Sequence, residues 1–206
     1  MPSICYAVTA STEVEELPKL IRLLQDNLRP EDAVLVQLDS SRFHPDLPTL
    51  LAKDFSAVDV IKFPLNNHFG NFKNNLKKYC TKDYIFQIDA DELPSESVLA
   101  SLPGILEDNP SIGLFHVPRV NTVLDITQKH LEHWGWSLNG KGWINWPDWQ
   151  PRIIKNSTNV HWERPVHEVI EGYGTQAFLP ASEEFCLYHP KNIQKQEMQN
   201  SFYKSI

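Results

Sequence analysis

Short apolar runs alternate with amphipathic segments through the first half of this 206-residue chain. The runs at residues 4–9, 33–38 and 58–63 have the length and composition of buried strands, and another run ends at Asp89. The first segment between them spaces its apolar residues as a helix does, at Leu17, Leu20, Ile21, Leu24 and Leu28. This alternation continues to about residue 108, and it predicts right-handed βαβ units and a mainly parallel, Rossmann-like sheet.

The second half of the chain has a different pattern. Residues 112–120 and 123–127 are typical of strands, and we expect no further helix until about residue 191. A last strand is predicted at 185–188 and a polar helix at 193–203. The sequence has no linker, so we expect a mixed or antiparallel extension of one α/β domain.

An acidic turn follows the most apolar strand of the first half, at Asp89-Ala90-Asp91-Glu92. Side chains at the carboxyl ends of parallel strands line the crevice where open α/β sheets bind ligands, and Thr9 and Asp39 end two other predicted strands. Asp89 and Asp91 are two residues apart and would face the same side of a strand. Two carboxylates suit Mg²⁺ or Mn²⁺ bound together with substrate phosphates. A solvated acidic turn without a ligand is the alternative.

Five of the six tryptophans lie between residues 134 and 149, interleaved with glycines, at Trp134, Trp136, Trp143, Trp146 and Trp149. Regular spacing and fewer glycines would be typical of a core, so this segment is predicted to be a loop with exposed rings. Exposed aromatic surface commonly marks a binding site, and indole faces suit the C–H face of a sugar ring. The alternative is a tryptophan-rich loop that closes over the core.

Several polar residues of the second half are candidates for chemistry. Asp148 lies among aromatic residues, where desolvation would raise its pKa and favour a general base; a turn aspartate is the alternative. His167 and Glu168 belong to a hairpin-like stretch at residues 160–169 and could contact the site. His189 follows a predicted strand, and its imidazole could complete a carboxylate metal site, although a hydrogen-bonded structural histidine fits as well.

Charge and cysteine content exclude several classes of protein. A formal net charge of −7 argues against a general nucleic-acid-binding surface. No apolar run has the length of a membrane span, and the start of the chain does not resemble a signal peptide. Cys5, Cys80 and Cys186 are odd in number and far apart in sequence, which argues against a disulfide framework and a zinc site. A cytoplasmic protein with free thiols is expected.

Taken together, these motifs resemble the GT-A glycosyltransferases of the family 2 type. The resemblance covers nearly the whole chain in outline, and it is carried by Asp89-Ala90-Asp91-Glu92, Gly70 and Asn74, Pro147-Asp148-Trp149-Gln150-Pro151-Arg152, Val166-His167-Glu168 and Leu187-Tyr188-His189. It implies a GT-A fold, with a nucleotide-sugar-binding half at residues 1–110 and an acceptor-binding half at 111–206. It also implies Mn²⁺ or Mg²⁺ as cofactor, a UDP-sugar as the favoured donor, and a glycan, glycoprotein or other hydroxyl acceptor.

The resemblance assigns roles to individual residues. The donor would be held by Thr9, Ala10, Ser11, Asp39, His68, Lys73, Asp89 and Ala90. The metal would be bound by Asp91 and His189, with Asp89. Asp148 would be the base of an inverting transfer, and the acceptor would contact Trp146, Trp149, Arg152, His167 and Glu168.

The sequence also departs from the family pattern. A single Asp39 followed by serines stands at the end of the second strand, and the Gln150-x-Arg152 spacing is shorter than in processive members. Polymerising activity is therefore not expected. The short length and the tail from Lys191 to Tyr203 are similar to glycosyltransferases of large algal viruses and phages, which would place the protein in the host cytoplasm.

Two other functions fit parts of the pattern. A nucleotidyltransferase would also use carboxylates, metal and nucleotide, but Thr9-Ala10-Ser11-Thr12 lacks the glycine- and lysine-rich loop that holds a triphosphate. A non-catalytic carbohydrate-binding protein would use the tryptophan-rich segment and need neither metal nor nucleotide.

Overall fold

The computed structural model describes residues 1–203, which form six α-helices and a nine-stranded sheet with a separate two-stranded sheet. The elements of the first half are β1 (Ile4–Ala10), α1 (Glu16–Asp26), β2 (Ala33–Asp39), α2 (Leu47–Asp54), β3 (Asp59–Phe63), α3 (Phe69–Lys77), β4 (Tyr84–Asp89), β5 (Leu93–Pro94) and α4 (Glu96–Asp108). The predicted α/β alternation of this half is confirmed.

The first four long strands form the parallel part of the large sheet, in the order β3-β2-β1-β4. Their carboxyl ends lie along one edge: Thr9 is in register with Asp89, and the Ala90 amide donates to the Thr9 carbonyl at 2.9 Å. Because the strands are apolar on both faces, the sheet is buried between two hydrophobic clusters, one around Tyr6 and Phe86 and the other around Ile85 and Trp162. The expected rim of strand ends is therefore present.

The second half extends the same sheet. Its elements are β6 (Leu114–Leu124), α5 (Gln128–Trp134), β7 (Ile144–Lys155), β8 (His161–Glu163), β9 (Val169–Glu171), β10 (Gln176–Phe178), a 3-10 turn (Glu183–Phe185), β11 (Leu187–Asn192) and α6 (Ile193–Tyr203). β7 runs antiparallel between β4 and β6, whereas β11 runs parallel to β6. The predicted mixed character of this half and its final helix are confirmed.

Several boundaries differ from the sequence prediction. The two strands expected at 112–120 and 123–127 are one long strand, β6. A helix, α5, lies where none was expected before residue 191, and β7 contains part of the segment predicted to be a loop. The last strand begins later than predicted, because residues 183–185 form a 3-10 turn and β11 starts at Leu187.

The small sheet is the predicted hairpin, and it packs on α3. β8 and β9 pair antiparallel, and Asn74 of α3 bonds to both backbone polar groups of Trp162 in β8, at 2.7 and 2.8 Å. The backbone of α3 comes close to the hairpin at Gly70, whose amide donates to the Arg164 carbonyl at 3.2 Å. A Cβ at Gly70 would lie 2.8 Å from that carbonyl oxygen, so this contact requires glycine.

All three cysteines are free and buried. Cys5 and Cys80 are distant in sequence, but their Sγ atoms lie 3.0 Å apart, because α3 returns the chain to the start of β1. Among residues 1–203, the helices are all too short or too polar to cross a membrane.

Candidate active site

The two aspartates of the acidic turn have different surroundings. β4 ends at Asp89, so Asp91 lies in the turn beyond it and the predicted shared strand face does not apply. Asp89 Oδ1 accepts hydrogen bonds from Thr9 Oγ1 at 2.8 Å and Gln87 Nε2 at 2.9 Å, and Oδ2 accepts from Arg152 Nη2 at 2.7 Å. Both oxygens of Asp89 are thus bonded within the protein.

Arg152 is buried beneath the acidic turn. It donates to Gln87, to Asp89 and to the fully buried carboxylate of Glu92, which also accepts from Arg119 Nη1 at 2.9 Å. Burial alone would raise the pKa of Asp89, but the charges of Arg152 and Lys73 outweigh it and hold that pKa well below its usual value. Arg152 thus lies buried against Asp89 and Glu92, and its contact with the acceptor stays a prediction.

Lys73 and Glu168 form a second buried contact beside Asp89. Lys73 of α3 donates to Glu168, in the loop before β9, and its Nζ is 3.9 Å from Asp89 Oδ1. Burial would raise the pKa of Glu168, but the charge and hydrogen bond of Lys73 lower it. Glu168 therefore links the loop before β9 to α3, and the exposed His167 precedes it with a φ of 51°. The acceptor contacts of both residues stay predictions.

Asp91 faces His189 of β11. Asp91 Oδ2 is 3.4 Å from His189 Nε2, and His189 Nδ1 lies 2.8 Å from Asn121 Oδ1. Asn121 donates its amide group to Asp148, so its oxygen accepts the Nδ1 proton of His189. Burial lowers the pKa of His189, and the hydrogen bond and charge of the nearby Asp91 carboxylate oppose this shift.

The pair of Asp91 and His189 suits a divalent cation. A carboxylate oxygen and an imidazole nitrogen 3.4 Å apart can both ligate one ion, and a hydrogen bond at the other ring nitrogen is the usual support of a histidine ligand. Within residues 1–203, no three His, Cys, Asp or Glu side chains converge on a metal position. The remaining ligands would come from substrate phosphates and water, as is common for Mg²⁺.

Two lysines that the sequence analysis did not single out also surround Asp91. Lys195 Nζ lies 3.3 Å from Asp91 Oδ2, and Lys191 Nζ lies 4.0 Å from the same oxygen. Burial would raise the pKa of Asp91, but the hydrogen bond and charge of His189 and the charges of the lysines lower it. Their only sequence signal is their position in the polar segment that follows His189.

Asp148 of β7 is a carboxylate fixed by four hydrogen bonds. Oδ2 accepts from Arg119 Nε at 2.9 Å, Arg119 Nη2 at 2.7 Å and Asn121 Nδ2 at 2.7 Å, and Oδ1 accepts from Gln150 Nε2 at 2.9 Å. The expected rise in its pKa is wrong: burial raises it, but Arg119 and the hydrogen bonds outweigh burial and lower it. Asp148 is therefore anionic and held in one orientation.

Of the five tryptophans, Trp134 ends α5 and two lie in β7, whereas Trp136 and Trp143 lie in the segment between these elements. Trp134 stacks on His130 at 5.2 Å, and Trp149 packs edge-on against Phe178 at 5.1 Å. Trp143 and Trp146 lie 4.8 Å apart and line an open cleft of about 450 Å³ together with Asn139, Gly140, Lys141, Ala181, Ser182 and Glu183. The five rings are half-buried rather than exposed as predicted, and the segment is not a single loop, but Trp143 and Trp146 do line a surface cleft.

A second cleft, of about 420 Å³, lies at the end of β2 and is lined by Asp39, Ser41, Arg42, Leu65, Asn66, Asn67 and Phe202. Asp39 Oδ1 accepts from the Leu65 amide at 3.0 Å, which fixes the carboxylate in the cleft. Of the other predicted donor residues, Ala10 and Ala90 are buried at the strand ends, and the Ser11 carbonyl accepts from the His44 amide at 2.7 Å. His68 caps α3, since its Nδ1 accepts from the Asn71 amide at 3.1 Å.

Comparison with solved structures shows that the chain has a GT-A-like fold, the architecture of glycosyltransferases. One structural neighbour is S. aureus TarS, whose fragment 1–349 gives a TM-score of 0.60 at 12% identity over 92% of this chain. Complexes of that fragment with UDP and with UDP-GlcNAc give TM-scores of 0.61 and 0.57 at 11% and 10% identity, over 92% and 93% of this chain. The chain spans about 60% of the length of these fragments. No protein-family model and no curated protein matches the sequence.

Proposed function

We propose that the protein is a metal-dependent glycosyltransferase of the family 2 type, which moves a sugar from a UDP-sugar to a hydroxyl group of a glycan or other acceptor with inversion. The single observation that carries the proposal is the shared side chain of Asn121. Its oxygen fixes His189 beside Asp91, and its amide group donates to Asp148 at 2.7 Å. The side-chain amide of Asn121 thus connects the candidate cation site, formed by Asp91 and His189, to the candidate base, Asp148.

Each residue of the candidate site has a separate role in the proposed reaction. Asp148 accepts the proton of the acceptor hydroxyl, whose oxygen attacks the anomeric carbon as the diphosphate leaves from the opposite face. Asp91 and His189 would hold a divalent cation, which would supply positive charge to neutralise the departing diphosphate. Asp89 contributes by orienting Arg152 and Lys73 at the floor of the site.

The donor nucleoside would occupy the cleft beside Asp39. That cleft lies at the carboxyl end of β2, where open α/β sheets bind nucleotides. The complexes of TarS with UDP and UDP-GlcNAc support a uridine nucleotide as the first candidate. The cytoplasmic location and the viral source expected from the sequence remain predictions.

Calorimetric titration with UDP and with GDP, each with Mn²⁺ and then with chelator, tests this function. We expect one nucleotide to bind and its affinity to fall on chelation. Asp91→Asn should weaken the Mn²⁺-dependent part, whereas Asp125→Asn, in an exposed turn with a φ of 64°, should not. Binding of neither nucleotide would refute the proposal.

A non-catalytic carbohydrate-binding protein is the second candidate, and the cleft beside Trp143 and Trp146 favours it. Such a protein would bind glycans on an array without nucleotide or metal, and Trp143→Ala would abolish that binding. The transferase proposal gives the carboxylates around Asn121, Asp91 and Asp148, a chemical role. A protein that only binds carbohydrate would give them none.

A further inference from the structure

The last helix, α6, lies against the acidic turn and the nucleoside-sized cleft. Near its start, Lys195 Nζ is 3.3 Å from Asp91 Oδ2 and 3.1 Å from Glu16 Oε1 of α1. Near its end, the Phe202 ring lies 4.5 Å from the Arg42 guanidinium carbon and 6.5 Å from the Phe69 ring centroid. Contacts at both ends therefore hold α6 beside the candidate donor site.

Lys195 and Phe202 belong to the same face of α6. Seven residues separate them, which is close to two helical turns and about 10 Å along the axis. This distance is comparable with the length of a nucleoside diphosphate from its base to its distal phosphate. One helix face thus presents an ammonium group beside Asp91 and an aromatic ring beside Asp39.

The Asp39 carboxylate provides independent evidence for a ligand at the aromatic end. It is 2% exposed, and its Oδ2 accepts no hydrogen bond from the residues that the structure describes, although Arg42 Nε lies 3.2 Å away. Buried polar atoms are nearly always hydrogen-bonded in folded proteins. A ligand hydroxyl or N–H group in this cleft would add a well-aligned hydrogen bond to the Arg42 ion pair.

We propose that α6 forms one wall of the donor site, with Lys195 binding the diphosphate and Phe202 covering the nucleoside. This assignment rests on the proposed glycosyltransferase function and adds two binding residues to it. Lys191, 4.0 Å from Asp91 Oδ2, lies next to Lys195 and adds positive charge on the same side of the diphosphate.

Calorimetry with UDP and UMP in Mn²⁺ separates the two contacts. Lys195→Gln should weaken UDP binding by about 10- to 100-fold and affect UMP less, because UMP lacks the distal phosphate. Lys195→Arg keeps the charge and should retain most of the UDP affinity. Phe202→Ala should weaken UDP and UMP alike, by about 10-fold or more, because both present the same base to the ring.

Matched controls are available on exposed surfaces. Lys53→Gln, at the end of α2, and Tyr79→Ala, after α3, remove the same chemical groups away from the cleft and should leave UDP affinity unchanged. Wild-type UDP binding that neither Lys195→Gln nor Phe202→Ala alters would overturn the role of α6 while leaving the proposed function standing. If Lys195→Gln weakened the binding of UDP and UMP equally and also lowered the melting temperature, Lys195 would support the fold and would not bind the diphosphate. Absence of wild-type binding to both UDP and GDP would overturn both proposals.

Discussion

Asn121 shows how much of the site depends on single side chains. It lies in β6 and orients groups from β11 and β7 at once, through His189 and Asp148. The motif residues Asp91, His189 and Asp148 could be predicted from the sequence because each follows or interrupts an apolar strand.

Asn121 and Arg119 were not predicted, because their importance comes from pairing across strands. Arg119 of β6 is in register with Asp148 of β7, and no pattern in the sequence near either residue indicates this pairing. The wrong direction for the pKa of Asp148 has the same cause, since the sequence shows the aromatic neighbours of that carboxylate but not the cation opposite it. Lys195 was missed because its contact with Asp91 depends on where α6 packs.

Asp148→Asn should lower kcat by about 10²- to 10⁴-fold, because the amide cannot accept the proton of the acceptor hydroxyl. Affinity for UDP should be unchanged, since the proposed donor contacts lie elsewhere. Steady-state kinetics and calorimetry on the same preparation test both statements, with Asp125→Asn as the control. Full turnover in the variant, or lost UDP binding, would remove Asp148 from the role of base.

Arg152→Met should destabilise the fold by about 3–5 kcal/mol, because it leaves Asp89 and Glu92 partly unpaired in a buried position. Urea unfolding at neutral pH measures the loss. Arg164→Met is the matched control: Arg164 is exposed, and the change should stay within about 0.5 kcal/mol. Equal stability of the two variants would contradict the structural role of Arg152.

At the scale of elements, helix α5 shows the limit of the sequence patterns. Its ends carry recognisable signals, with Thr127 and His130 forming a capping box and Gly135 in the left-handed region at a φ of 66°. However, the helix has only seven residues and ends where the tryptophan-rich segment begins, so its apolar residues do not show helical periodicity over a useful length. The long strands and helices of the first half were predictable because each repeats its pattern over more residues.

Two glycine substitutions in helices should have opposite effects. Gly70→Ala should destabilise the protein by about 1–3 kcal/mol, because the new Cβ would lie 2.8 Å from the Arg164 carbonyl oxygen. Gly104→Ala, in α4, meets nothing within 4 Å and should stabilise by about 0.5–1 kcal/mol through its helix propensity. Thermal and urea unfolding of both variants gives the comparison, and a stabilising Gly70→Ala would contradict the close packing of α3 on the hairpin.

For the whole molecule, the carboxylates of the site predict a marked sensitivity to acid. Asp89, Asp91, Asp148 and Glu168 have pKa values below the usual 3.8 and 4.5. Each therefore stabilises the folded state when ionised, and its contribution is lost as the pH falls through its folded pKa.

The free energy of unfolding should accordingly decline as the pH is lowered below about 4, which urea unfolding at a series of pH values measures. In Arg152→Met the decline should be shallower, because the pKa of Asp89 then lies closer to its usual value. A stability that stays constant between about pH 5 and pH 3 would contradict this expectation.

The buried carboxylate of Glu92 limits which segments of this chain can be replaced by segments of related enzymes. Glu92 lies in the first half of the chain, whereas both guanidinium groups that neutralise it, from Arg119 and Arg152, lie in the second. A chimera that joined residues 1–110 of this chain to a foreign second half would bury a lone negative charge unless both arginines came with it. Recombination, in the laboratory or in evolution, should therefore inherit these three residues as a unit, even while the surrounding loops diverge.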